Sequence, residues 1–155
     1  MSTIGKRVIY VGSAGEHNSA PLNVEGEAVQ AITAGSLLKQ TASGLDLSDK
    51  TAFDASQLPL FADKDQLRSK SVDDAWTINQ NMVAIMGRSG DFLNVLVATG
   101  QTLSVGEALV SNGAGLLVAA TDTVDDGTTG SQVVVAFADE ALTTSGTQLV
   151  RVRIA

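Results

Sequence analysis

The apolar positions of the chain fall in short runs, each cut off within a few residues by glycine or polar turn formers, and no helical period is sustained. The pattern is sharpest from Trp76 onward. Residues 76–87 alternate moderately, and Phe92, Leu93, Val95, Leu96 and Val97 form a β-rich run between a turn at Ser89, Gly90 and Asp91 and the break at Gly100. Short pieces divided by Gly100, Gly106, Gly113 and Gly115 follow, and Asn112-Gly113 is the strongest hairpin signal, since both residue types tolerate positive φ. Two clean strands close the chain, within 132–141 and 147–155. In the second, Leu149, Arg151 and Arg153 face one way and Val150, Val152 and Ile154 the other. Many short strands with Gly-rich turns predict an all-β fold, a small antiparallel β-barrel or β-sandwich, with residues 76–155 forming most of it.

The first half is less regular. Residues 7–12 read as a short strand, followed by a polar, Gly-bearing stretch that ends at Pro21. Val24, Ala28 and Val29, set among acids, read as ordinary local packing, or else as an arm laid over a neighbour. The chain thus divides into an N-terminal arm or edge segment, residues 1–35, whose first 22 or so residues are expected to be extended and partly mobile in the free protein, and a β-rich body, residues 36–155. Within 35–75 the anchors are Leu37, Leu38, Leu45, Leu47, Phe53, Leu58, Leu60 and Phe61. Pro59 puts residues 58–62 at a strand start or an edge, because proline donates nothing to a ladder. Ser71, ahead of Val72, Asp73 and Asp74, is placed to cap one short helical turn.

Composition narrows the function classes. Aromatic residues are 4% of the chain, so its core is built from small and β-branched side chains, which bury less apolar area each. A net charge of -7 opposes the phosphate contacts that drive nucleic-acid binding, and the Lys6-Arg7 pair is the largest basic cluster. A basic partner surface stays compatible with that charge. The absence of cysteine excludes disulfides, thiolate nucleophiles and thiolate-bound metals. Val8, Ile9, Tyr10 and Val11 form too short a run for a signal sequence or a membrane span, so the chain is expected to stay where it is made or leave by cell lysis.

No coherent catalytic set emerges. His17, the single histidine, lies in a polar stretch and reads as a solvated loop residue. Asp122, Asp125 and Asp126 cluster in an acidic loop that lacks the ligand spacing of a calcium loop and reads as a solvated turn, with an adventitious or structural cation as the alternative. The pairs Asp46/Asp49 and Asp63/Asp65 are weaker versions of the same, and Asp139 and Glu140 read as an acidic strand end. The glycines match neither a phosphate loop nor a dinucleotide fingerprint. Trp76, the single tryptophan, reads as a core anchor, with an interface hot spot as the alternative. A non-enzymatic protein with no cofactor and no metal is expected.

Gly100, Leu103, Gly106, Leu109, Gly115, Leu116, Gly127, Gly130, residues 133–136, Ala138, Ala141 and residues 150–154 follow a rhythm of Gly, Leu and Val. In this rhythm the stretch 90–155 resembles the small capsid decoration, or cement, proteins of tailed bacteriophages. The resemblance implies a small β-barrel or β-sandwich without a cofactor. It implies a structural virion protein on the outer capsid surface, in the host cytoplasm before assembly, that bridges subunits of the major capsid protein as a homo-trimer or homo-dimer. Neither nucleic acid nor membrane is an expected partner. A carbohydrate- or cell-surface-binding β module, or a fibre component of the virion, is the alternative. The candidate interface residues are Val8, Ile9, Tyr10, Trp76, Arg151 and Arg153, with strand edges near residues 7–12 and 148–155 available for strand addition.

Overall fold

A computed structural model of the chain describes residues 6–13, 20–49, 59–120 and 133–155. Every regular element among them is a strand. In chain order these are β1 (Tyr10–Ser13), β2 (Leu22–Glu27), β3 (Ile32–Thr33), β4 (Leu37–Thr41), β5 (Gly44–Leu47), β6 (Leu60–Ala62), β7 (Ala75–Trp76) and β8 (Asn81–Met86). They continue as β9 (Asp91–Val97), β10 (Thr102–Leu103), β11 (Ala108–Ser111), β12 (Leu117–Ala119), β13 (Ala136–Ala138), β14 (Leu142–Thr143) and β15 (Gln148–Ile154). The chain is all-β, as its pattern predicts.

The strands build two small barrels. In the first, the order is β2-β8-β6-β4-β5, antiparallel throughout. It closes where Ala28, just past β2, bridges Leu45 of β5, and the Val29 amide donates to the Leu45 carbonyl at 3.1 Å. Closure presses the two backbones together. A Cβ on Gly44, at φ +137, would stand 2.1 Å from the Glu27 carbonyl oxygen, so a side chain there is excluded.

In the second barrel β9 pairs with β15 from Val97↔Gln148 to Phe92↔Arg153, and β13, β11 and β12 follow in antiparallel steps. One parallel pairing, Leu117 with Val97, returns β12 to β9 and closes the ring. β1 lies against the first half of β9, with Tyr10 opposite Leu93 and Ser13 opposite Asp91. The two-stranded ladders β3–β7 and β10–β14 complete the set.

The barrels share packing. Leu38, Leu60, Ala62 and Ala84 join Trp76 and Met82 in the core of the first. Their chain neighbours Leu37, Phe61 and Ile85 point to the opposite face, where they join Leu93, Val95, Leu96 and Val150 of the second barrel in one cluster. Strands buried on both faces carry unbroken apolar runs, which explains the weak alternation of residues 35–87. Backbone bonds stitch the junction: Leu96 N donates to Gly35 O at 2.9 Å and Leu37 N to Gly115 O at 2.8 Å. Gly35, at φ +87, meets Leu149 so closely that a Cβ would lie 2.5 Å from Leu149 Cδ2. Leu149 is therefore buried although it shares a strand face with the exposed Arg151 and Arg153.

Several expectations shift. The second barrel begins at β9, and β8, expected in the C-terminal body, belongs to the first barrel. β2, within residues 1–35, is a full strand of the first barrel, paired with β8 and joined to β5 through the Ala28–Leu45 bridge just past its end. Asn112-Gly113 does lie in a hairpin loop, between the antiparallel β11 and β12, with Gly113 at φ +80, and the loop runs over residues 112–116. The Asn112 side chain closes it, with Oδ1 accepting from Ala114 N at 2.8 Å and Leu116 N at 3.2 Å. Ser71 caps no helix. Asp74 Oδ2 accepts from Ser71 N at 2.8 Å, which locks a turn. Phe53, Leu58, His17, Asp122, Asp125 and Asp126 lie outside the described residues.

Candidate functional site

The expected interface residues separate into two groups. Ile9 is wholly buried in the larger cluster, and Trp76, 4% exposed, is a core anchor of the first barrel. The Trp76 Nε1 donates to the Asp63 carbonyl at 2.6 Å, satisfying the buried indole. Val8 and Val11 of the β1 segment are exposed, Tyr10 is half-buried, and the Val8 carbonyl accepts from Asn94 Nδ2 at 2.8 Å. Arg151 and Arg153 are exposed, but both engage their own chain. Arg151 Nε meets Asp139 Oδ2 at 2.6 Å, and Arg151 N donates to Glu140 Oε1 at 2.7 Å. Lys6 Nζ reaches the same Glu140 oxygen at 2.5 Å. The Arg153 guanidinium stands 5.8 Å from the ring centroid of Phe137, its cross-strand partner. The strand edge expected near 148–155 is closed, since β15 is flanked by β9 and β13. β1 pairs on one side with β9, and no strand covers its other side among the described residues.

A cleft of about 360 Å³ opens on the first barrel. Its floor is the outer face of the β2–β8 pair, where Asn23, Glu25, Asn81 and Val83 sit, and its wall is the loop 63–68 that leaves β6. Two buried carboxylates hold that loop. Asp63 accepts from Lys64 N at 2.8 Å and Gln66 Nε2 at 3.1 Å. Asp65 accepts from Arg68 N at 3.2 Å, Arg68 Nη1 at 2.8 Å and Gln80 Nε2 at 3.3 Å. Burial pushes the Asp63 carboxyl above the usual carboxylate range, against the bonds from Lys64 and Gln66. Burial acts upward on Asp65 as well, but the Arg68 bonds outweigh it and hold the carboxyl below that range.

This pair is what sequence reasoning missed: two turn aspartates read as solvated are buried beside a cleft. The available signal was their D-x-D spacing directly after an apolar strand. All four oxygens are spent on the chain's own donors, which suits a fixed loop better than proton transfer to a substrate. By contrast, Asn23, Glu25, Lys64 and Asn81 make no side-chain hydrogen bond or ion pair among the described residues. Trp76 touches the cleft from beneath, and its burial leaves no aromatic platform of the kind sugar binding favours. No group of three or more His, Cys, Asp or Glu able to hold a metal ion occurs among the described residues, and no helix there is long and apolar enough to cross a membrane.

No family model matches the chain, and no curated protein matches it. Among solved structures, the chain is similar to the N base of the head fiber gp8.5 of bacteriophage phi29, with a TM-score of 0.53 and 17% sequence identity. The match covers 88% of this chain and 95% of that one, so the likeness extends over both barrels and is a likeness of fold.

Proposed function

We propose that this chain is a non-enzymatic structural protein of a bacteriophage virion, carried on the outside of the head, where it serves as the base domain of a fibre-like appendage. The observation that carries the reading is the near whole-length match in fold to the base of a head fiber. The cleft adds support, since its two buried carboxylates are consumed in holding a loop. A second reading, capsid decoration, draws on the Gly, Leu and Val rhythm of residues 90–155, which coincides with the closed second barrel. Both readings place the chain on the major capsid protein, as a homo-trimer or homo-dimer whose repeated contacts raise occupancy. Val8, Tyr10, Arg151 and Arg153 remain the proposed surface contacts at the β1 and β15 end. The test mixes purified chain with phage heads that lack it. Saturable binding in a fixed ratio to shell subunits supports the assignment, and the absence of saturable binding refutes it. A raised rupture temperature of the loaded heads separates decoration from a fibre base.

A further inference from the structure

We propose that the outer face of the second barrel, along β9, β15 and β13, docks on the capsid shell protein by taking one of its carboxylates, flanked by apolar side chains, onto Arg153. The inference rests on the head-exterior reading and names the chemistry of its contact. Strand register builds the site. Arg153 on β15 stands opposite Phe92 of β9 on one side and Phe137 of β13 on the other. Cross-strand partners share a sheet face, so the arginine lies in one row between two aromatic residues. Phe92 and Phe137 are half-buried, and Arg153 is exposed. The guanidinium carbon stands over the Phe137 ring, 5.8 Å from its centroid. A ring face attracts the cation without accepting its N–H groups along the guanidinium edge, so the fork is positioned while its donors stay available. Arg153 makes no hydrogen bond or ion pair through its side chain among the described residues. A charged group positioned in advance loses little conformational freedom when a partner covers it.

Charge selects the occupant. The carboxylates beside this row are already engaged. Asp139 takes Arg151 Nε at 2.6 Å, and Glu140 takes both Lys6 Nζ at 2.5 Å and the Arg151 amide at 2.7 Å. Glu107 lies opposite Ala138, whose side chain is in the core, and so falls on the other face of the ladder. Arg7, exposed beside Lys6, makes no ion pair among the described residues. Lys6, Arg7, Arg151 and Arg153 thus outnumber Asp139 and Glu140, which leaves this region positive on a chain of net charge -7. An incoming carboxylate meets a guanidinium fork that matches it through two parallel bonds. Around the fork, Phe92 and Phe137 present apolar surface, and the neighbouring β1 segment adds Val8 and Val11, 46% and 45% exposed. The fitting partner is therefore one carboxylate set among apolar side chains. A second copy of this chain is disfavoured, because two bodies at -7 repel. Strand addition is closed here, since β15 is flanked by β9 and β13.

The test measures binding of the full chain to phage heads that lack it. Affinity should fall about tenfold in Arg153→Gln and stay unchanged in Lys70→Gln, which removes the same charge from an exposed position of the first barrel. Arg153→Lys keeps the positive charge and supplies an amine for zero-length cross-linking. A carbodiimide activates a carboxylate, the amine displaces it to form an amide bond, and the reagent leaves as its urea. Mass spectrometry of the loaded heads should then find position 153 joined to an aspartate or glutamate of a shell subunit. Arg153→Gln binding as tightly as the wild type overturns the proposal. So does an equal loss in Lys70→Gln, which would mean attraction by overall charge alone. A link from position 153 to a second copy of this chain, or no link while the variant stays bound, overturns it as well. The two readings fail differently. Heads that bind no wild-type chain refute the head-exterior assignment and this contact with it, whereas saturable binding indifferent to Arg153 refutes the contact alone.

Discussion

Single residues decide whether the first barrel closes and how its cleft titrates. A methyl group on Gly44 meets the Glu27 carbonyl at 2.1 Å, whereas Gly100, also at positive φ, has open space around it. In urea denaturation, Gly44→Ala is expected to cost about 2–4 kcal/mol and Gly100→Ala about 1 kcal/mol, the cost of backbone conformation alone. Equal losses would mean that closure at Gly44 is not tight. Asp63 and Asp65 carry opposite signs of pH dependence. The folded state holds the Asp63 proton more tightly than the unfolded chain does, so stability is lost as pH rises from the ordinary carboxylate range through the raised folded value. For Asp65 the contribution is present above the ordinary range and is lost as pH falls through the lowered folded value. Melting curves between about pH 3 and pH 7 should therefore show Asp63→Asn gaining on the wild type as pH rises, and Asp65→Asn falling behind it.

At the scale of elements, the short β1 strand joins surface to core. Ile9 is fully buried while its neighbour Val8 is 46% exposed. Chemical denaturation should give a loss of about 2–4 kcal/mol for Ile9→Ala and no more than about 0.5 kcal/mol for Val8→Ala. A negligible Ile9→Ala effect would mean that β1 is not docked. Strand by strand, the pattern is legible in the sequence where one face is wet. β15 alternates Arg151 and Arg153 with Val150, Val152 and Ile154, and its orientation follows directly. Legibility fails where both faces are covered. Leu37 and Leu38 read as an unordered apolar pair because each serves a different cluster, and the strand at Leu60, Phe61 and Ala62 shows no alternation because Phe61 serves one cluster while Leu60 and Ala62 serve the other. Nothing local marks β8 as belonging with β2, since that pairing joins residues far apart in the chain, Leu22 to Met86. The cleft was hidden for the same reason. Asp63 and Asp65 look like any turn aspartates until β2 and β8 bring Glu25 and Asn81 beside them.

On the scale of the whole molecule, Leu37, Phe61 and Ile85 place first-barrel side chains in the cluster of the second, so the barrels are expected to unfold together. Thermal scans followed by Trp76 fluorescence, which reports the first barrel, and by far-UV dichroism should coincide. Phe61→Ala should lower both midpoints together, at about 3–5 kcal/mol. Two separate transitions would make the barrels independent units. The two-barrel body underlies the functional claim, because 88% of the chain matches a head-fiber base in fold. The most direct measurement is a cryo-electron microscopy reconstruction of the native particle with this chain tagged at Leu67, a fully solvent-facing loop position. The head-exterior assignment predicts two-barrel density at fixed positions on the outer shell, with the tag resolved beside it. Density confined to the tail or the interior of the head, or particles without the tag, would contradict it.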